Sequence, residues 1–182
     1  MTSDLGGPGL PDVQTVTSSG ESTVPAIDGV LTHRPPVHLD HRGSLFEIYD
    51  ARGGGSAMWE TPVVYAYQSS VLPRQLKGWA RHVAKADRYC IVAGELLVLL
   101  HDGRAESPTH GLTQRVVLSA RGDLMLLIPA GVWHLLAALG PEEARVLNFP
   151  TEPYHHDAPD RILLPWDTDE LPVDVRSYLP RF

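Results

Sequence analysis

Two short stretches of this chain gather residue types that can hold, take or give a proton. The first, GWARHVAKADRYCIVAG from Gly78 to Gly94, sets His82 five residues before Asp87. The second, GDLMLLIPAGVWH from Gly122 to His134, ends an apolar run on another imidazole. A carboxylate beside an imidazole raises its pKa and fixes its tautomer, which suits general acid–base catalysis. His82, Asp87 and His134 also make up two imidazoles and one carboxylate, a set that can hold Fe(II), Mn or Zn. The plain structural alternative is that each satisfies a hydrogen bond on a β-wall and does no chemistry.

The elements that must position these groups are strands. Each stretch reads as strand, tight turn, strand, with Ala93-Gly94 as a hairpin turn. Residues alternate in facing along a strand, so positions 80 and 82 share one side while Trp79 and Trp133 point to the other. Elsewhere, short runs rich in β-branched and aromatic residues recur between turn signals, as in Ser44 to Tyr49, Pro62 to Gln68, Glu95 to Leu100 and Arg145 to Phe149. The pattern predicts nine or ten strands of about five residues. No segment keeps a helical period over three turns, and Gly140-Pro141 breaks the run after Leu135. A short helical segment fits only near the C-terminus, around Pro172 to Tyr178. The fold class expected is all-β, a double-sheet jelly roll. Residues 1–25, rich in Ser, Thr, Gly and Pro, read as a disordered N-terminal segment, and 26–182 as a single domain.

Bulk properties narrow the function classes. With 182 residues the chain is long enough to bury a core. A net charge of −7 and the lack of any basic run argue against a nucleic-acid surface. The single cysteine, Cys90, excludes an internal disulfide framework and a thiolate zinc cluster, and its apolar setting suits an inert buried thiol. The opening residues have neither a basic start nor an apolar core, and no apolar run approaches the roughly 20 residues of a membrane helix. The expectation is a cytoplasmic protein with a small-molecule partner, not nucleic acid and not membrane.

Against this background the chain resembles the cupin superfamily. Gly78, Ala80-Arg81-His82, Asp87 and Gly94 follow the first cupin motif, with Ala80 where its first histidine stands and Asp for Glu. Gly122, Pro129-Ala130-Gly131 and His134 follow the second, whose later asparagine corresponds to Asn148 only at an altered spacing. Within the cupins the chain is similar to the dTDP-4-dehydrorhamnose 3,5-epimerase family from about Asp40 to Val173. The shared features are Asp40-x-Arg42-Gly43 with Glu47, Asp102-x-Arg104-x-x-Ser107-Pro108-Thr109-x-Gly111, Thr151-x-x-Tyr154 and Trp166-Asp167.

The resemblance implies a cupin double-stranded β-helix and an isomerase or epimerase, with no cofactor and a homodimeric assembly. It implies that Tyr154 is the general acid and that Asp167 orients the histidine. It also implies that the family's base falls on Ala80 and its enolate-stabilising lysine near Asp87. His82 then becomes the candidate base, Asp87 its partner, and His134 a polariser. Tyr89, Arg42, Arg104 and Glu47 are the further substrate-contact candidates. Arg42 matches a position that reaches a partner subunit's pocket, while Arg104 also suits a purely loop-holding role. His155-His156 reads as surface. The departures leave dehydration or cyclisation of a carbonyl-bearing biosynthetic intermediate open beside epimerisation. Two other classes remain: a metal-dependent oxygenase on His82, Asp87 and His134, and a non-catalytic binding module.

Overall fold

The computed structural model describes residues 12–20, 22–52, 56–122 and 124–179. The strands are β1 (Leu31–His33), β2 (Val37–Asp40), β3 (Gly43–Phe46), β4 (Tyr67–Val71), β5 (Leu76–Arg81) and β6 (Asp87–Ala93). They continue with β7 (Glu95–Asp102), β8 (Thr113–Ser119), β9 (Met125–Ile128), β10 (Val132–Ala138), β11 (Ala144–Asn148) and β12 (Ile162–Leu163). Two five-stranded antiparallel sheets, ordered β1-β9-β6-β11-β4 and β12-β5-β10-β7-β8, face each other as a jelly roll. β2 and β3 form a separate hairpin. Of the N-terminal segment, residues 1–11 and 21 lie outside the described residues. The rest of it is exposed and makes one antiparallel bridge, Val16 to Ser22.

The near-continuous apolar run of β7 follows from burial on both faces. Its Leu96, Val98 and Leu100 pack with Ile91, Leu126 and Val146 between the sheets. Its Leu99 points outward, where Trp79, Trp133 and Leu135 meet Leu171 and Val175 of the C-terminal segment. The two tryptophans therefore lie on the face away from the imidazoles, as strand alternation requires. The expected C-terminal helix is shorter than Pro172 to Tyr178. It is a single 3-10 turn, Val175–Tyr178, capped by the Asp174 carboxylate.

Two expectations are corrected. Ala93-Gly94 is not a hairpin turn, because β6 pairs with β9 and β11 while β7 pairs with β8 and β10. The chain crosses there from one sheet to the other, and it does so again between β9 and β10. Gly94 takes φ +70°, and a Cβ on it would lie 2.6 Å from the Glu143 carbonyl oxygen. Only glycine fits that corner. The strand expected at Pro62 to Gln68 forms later, at β4, where pairing with β11 runs from Tyr67–Asn148 to Val71–Ala144. The backbone just before it is held by a side chain instead of a ladder. Buried Arg88 donates to the carbonyls of Thr61 and Pro62, and through Nε to that of Phe149.

Candidate active site

A cavity of roughly 330 Å3 opens at one end of the barrel, between the inner faces of the two sheets. β5 brings Lys77, Gly78 and Ala80 to its wall, with His82 just beyond the strand end. β6 brings Asp87 and Tyr89, β10 brings His134 and Leu136, and β11 brings Asn148. Tyr67 and Ser69 of β4 line it too, with Lys85, Tyr154, Arg161 and Leu163 from the loops and β12. β10 carries His134 directly opposite Ala80 of β5 and Leu100 of β7. That close pairing needs Gly78, which has φ +116°. A Cβ there would stand 2.6 Å from the His134 carbonyl oxygen.

The chemistry centres on the Asp87 carboxylate, which is 1% exposed. Its Oδ1 accepts from Asn148 Nδ2 at 2.8 Å. Its Oδ2 lies 3.3 Å from His82 Nε2, 3.7 Å from His134 Nε2 and 3.4 Å from the Tyr89 hydroxyl, which donates to it. The Asn148 amide also donates to the Tyr67 hydroxyl at 2.8 Å, and its Oδ1 accepts from the Arg88 amide. A buried carboxylate with this many donors is a satisfied anion.

Their surroundings shift the two imidazoles in opposite directions. His82 Nδ1 faces the Asp160 carbonyl oxygen, which has no proton to give, so Nδ1 must carry one. His82 Nε2 faces the Asp87 carboxylate. Both nitrogens can donate at once only in the imidazolium. Burial opposes that charge, but the hydrogen bond and charge of Asp87 and the Asp160 carbonyl outweigh it and raise the His82 pKa. Burial likewise opposes ionisation of Asp87, and His82, His134 and Asn148 overcome it, holding the carboxyl below its usual range. His134 goes the other way. Burial depresses its pKa, the nearby His82 adds to this, and Asp87 only partly offsets it. Its Nδ1 faces the Val132 carbonyl oxygen at 3.4 Å and its Nε2 the Asp87 carboxylate at 3.7 Å, so the neutral ring has an acceptor at each nitrogen and one proton to share between them. Two titratable groups of one type, pushed apart in pKa, suit acid–base chemistry.

The donor atoms of His82, Asp87 and His134 lie within 4.8 Å of one another, close enough for a divalent ion to fit among them. The same atoms make the ion pair just described.

The model of one protein family, dTDP-4-dehydrorhamnose 3,5-epimerase, matches residues 25–179. The chain belongs to this epimerase family. A probable low-salt glycan biosynthesis epimerase, Agl13 of Haloferax volcanii, is 29% identical over 152 residues, covering 83% of this chain and 96% of its own. A dTDP sugar isomerase from Desulfovibrio desulfuricans superposes with a TM-score of 0.72 at 26% identity, over 81% of this chain and 90% of that one. The Legionella pneumophila 3,5-epimerase, solved with dTDP-4-keto-L-rhamnose, gives 0.70 at 24% identity, over 81% and 79%. The chain is thus an epimerase-like enzyme of sugar biosynthesis on an RmlC-like cupin fold.

Ala80, to which the resemblance assigns the family's base, lines the cavity together with His82 and His134. The resemblance puts the family's lysine near Asp87, and Lys85, two residues earlier, is buried, lines the same cavity and lies 5.4 Å from the Tyr154 ring centroid. Tyr154 and Tyr89 line the cavity as expected. Asp167 does not. It sits on an exposed surface dent with Trp166 and Asp174, and it is Asp160 that meets His82. Arg104 is absent from the cavity wall, because its guanidinium forks onto Asp102 at 2.8 Å and reaches the Asp28 carbonyl. It holds its loop. Glu47 is exposed just after β3, and Arg42 is exposed at the β2–β3 turn against Asp40, so neither lines this protomer's cavity. His155 and His156 are exposed. Sequence reasoning missed Lys85, Arg161, Tyr67 and Asp160 and underweighted Asn148. The asparagine at the end of the second cupin motif was the available signal for Asn148. No spacing rule pointed to Asp160.

Proposed function

We propose that this chain moves a proton on the carbon next to the ketone of a nucleoside-diphosphate 4-keto sugar, epimerising it without an essential metal. The observation that carries this reading is the split between two imidazoles beside one carboxylate: the Asp87 and Asp160 partners of His82 favour its charged form, while burial favours the neutral form of His134. His134 Nε2 takes the proton. The C–H electron pair becomes the double bond of an enolate, and the carbonyl pair moves onto oxygen. Asp87 stabilises the new His134 imidazolium at 3.7 Å, and His82 keeps Asp87 ionised throughout. Lys85 is the cation placed to receive the oxyanion, in a site where burial strengthens the interaction. Tyr154 then returns a proton to carbon from a different wall, and the carbonyl re-forms. This assignment gives His134 the base role that the sequence suggested for His82, and gives the polarising role to Lys85.

The substrate class rests on the family and on charge. Lys77, Lys85 and Arg161 line the cavity against the single carboxylate of Asp87, although the whole chain is acidic. Such cations suit a diphosphate across the mouth. The volume lies at the low end for ligand pockets, enough for the sugar ring with the nucleotide outside. A homodimer belongs to the same reading. Arg42 is 78% exposed on a hairpin that also exposes Leu39 and Leu45, so it would reach a cavity only in a partner. The test is incubation with dTDP-4-keto-L-rhamnose in D2O. Deuterium should enter the carbons flanking the ketone, read by NMR or mass spectrometry. A sugar nucleotide that binds yet stays fully protonated would rule the reading out.

A further inference from the structure

Asp160 uses both its side chain and its backbone to reach the far side of the cavity, 75–78 residues away in sequence. Its carboxylate accepts from three consecutive amides, Val83 at 2.7 Å, Ala84 at 3.0 Å and Lys85 at 3.1 Å. Successive N–H groups that turn onto one anion form a concave nest, a fixed site for negative charge. The Thr151 hydroxyl takes the next amide, Ala86, at 3.0 Å. The backbone carbonyl of Asp160 meanwhile receives His82 Nδ1. The pinned loop is the one that carries both His82 and Lys85 into the cavity. Residue 160 is also next to Arg161, a wall residue, and to β12, which pairs with Ala80 and Arg81.

We propose that Asp160 is a positioning residue of the reaction: its carboxylate sets the path of the Val83–Lys85 backbone, and its carbonyl fixes the ring of His82. Asp160 touches no reacting atom. It acts by deciding where the His82 cation and the Lys85 ammonium stand. The charged and titratable groups around His82 are Asp87 and Tyr89 on β6, His134 on β10, Lys85 on the loop, and Asp160 and Arg161 before β12. Of these, only Asp160 offers an acceptor to Nδ1. Losing the clamp should free Nδ1 and let the ring turn away from Asp87.

The inference rests on the proton-transfer reading for its kinetic effect but not for its spectroscopic one. Asp160→Ala and Asp160→Asn would be compared with the unaltered chain by 15N-imidazole NMR without substrate, and by the solvent-exchange assay. The expected result for Asp160→Ala is a changed His82 tautomer pattern and about a 10²-fold loss of kcat with a smaller change in KM, the size of effect that misplaced groups produce. Asp160→Asn keeps one acceptor oxygen and should lie between, which also answers the question if Asp160→Ala fails to fold. His82 nitrogen shifts that stay put in the folded variants, with kcat within twofold, would overturn the positioning role. No exchange in the unaltered enzyme would instead sink the reaction, while the NMR comparison would still decide about Asp160.

Discussion

Replacing His134 by glutamine should lower turnover about 10²- to 10⁴-fold, the usual worth of a positioned general base. Glutamine has no basic nitrogen, so nothing would face the substrate with a lone pair able to keep a proton. The rest of the cluster should survive, because Asp87 retains His82, Asn148 and Tyr89 as partners. The measurement is the rate at which solvent deuterium enters the sugar, together with substrate affinity. Affinity should change far less than kcat, since an interaction made mainly in the transition state appears in kcat. His82→Gln should also be impaired, but for another reason: it removes the cation that keeps Asp87 ionised. Full activity in His134→Gln would remove His134 from the role of base.

Tyr154→Phe should separate the two halves of the reaction. In the proposed mechanism the phenol hydroxyl is the donor that completes inversion, while abstraction relies on His134 and Asp87. The variant should form inverted product about 10²-fold more slowly or worse, and it should still exchange the abstracted proton with solvent through His134. The ring packs beside His156 and under the Lys85 ammonium, and phenylalanine keeps that packing. Following deuterium wash-in and product stereochemistry in one sample checks this. Equal losses in both would mean that Tyr154 only shapes the cavity.

The sequence carried the fold well because strand alternation is a local signal. The alternation that sends Trp79 and Trp133 outward and His82 and His134 inward survives without change. It misplaced β4 because Val63 to Tyr65 have the higher strand propensity, whereas Tyr67 to Val71 have the partner strand. It mistook the sheet-to-sheet corner at Ala93-Gly94 for a hairpin because a glycine turn does not say which sheet receives the next strand. In the site, residues named by motif arrived where expected when a strand carried them, as Asp87 and His134 do. Of those on the long C-terminal loops, Tyr154 arrived and Asp167 did not. Asp167 was chosen by its match to a motif, yet the chain turns back onto the cavity seven residues earlier, at Asp160. The proposed division of labour between His82 and His134 was not legible, because it depends on how deeply each ring is buried and how closely each meets Asp87.

Imidazole 15N NMR of the unaltered protein at neutral pH, without substrate, tests this division most directly. His82 should show both ring nitrogens protonated, and His134 should show a proton on Nδ1 alone with Nε2 bare. A neutral His82 with an unprotonated Nε2, or a doubly protonated His134, would contradict the assignment of base and cation.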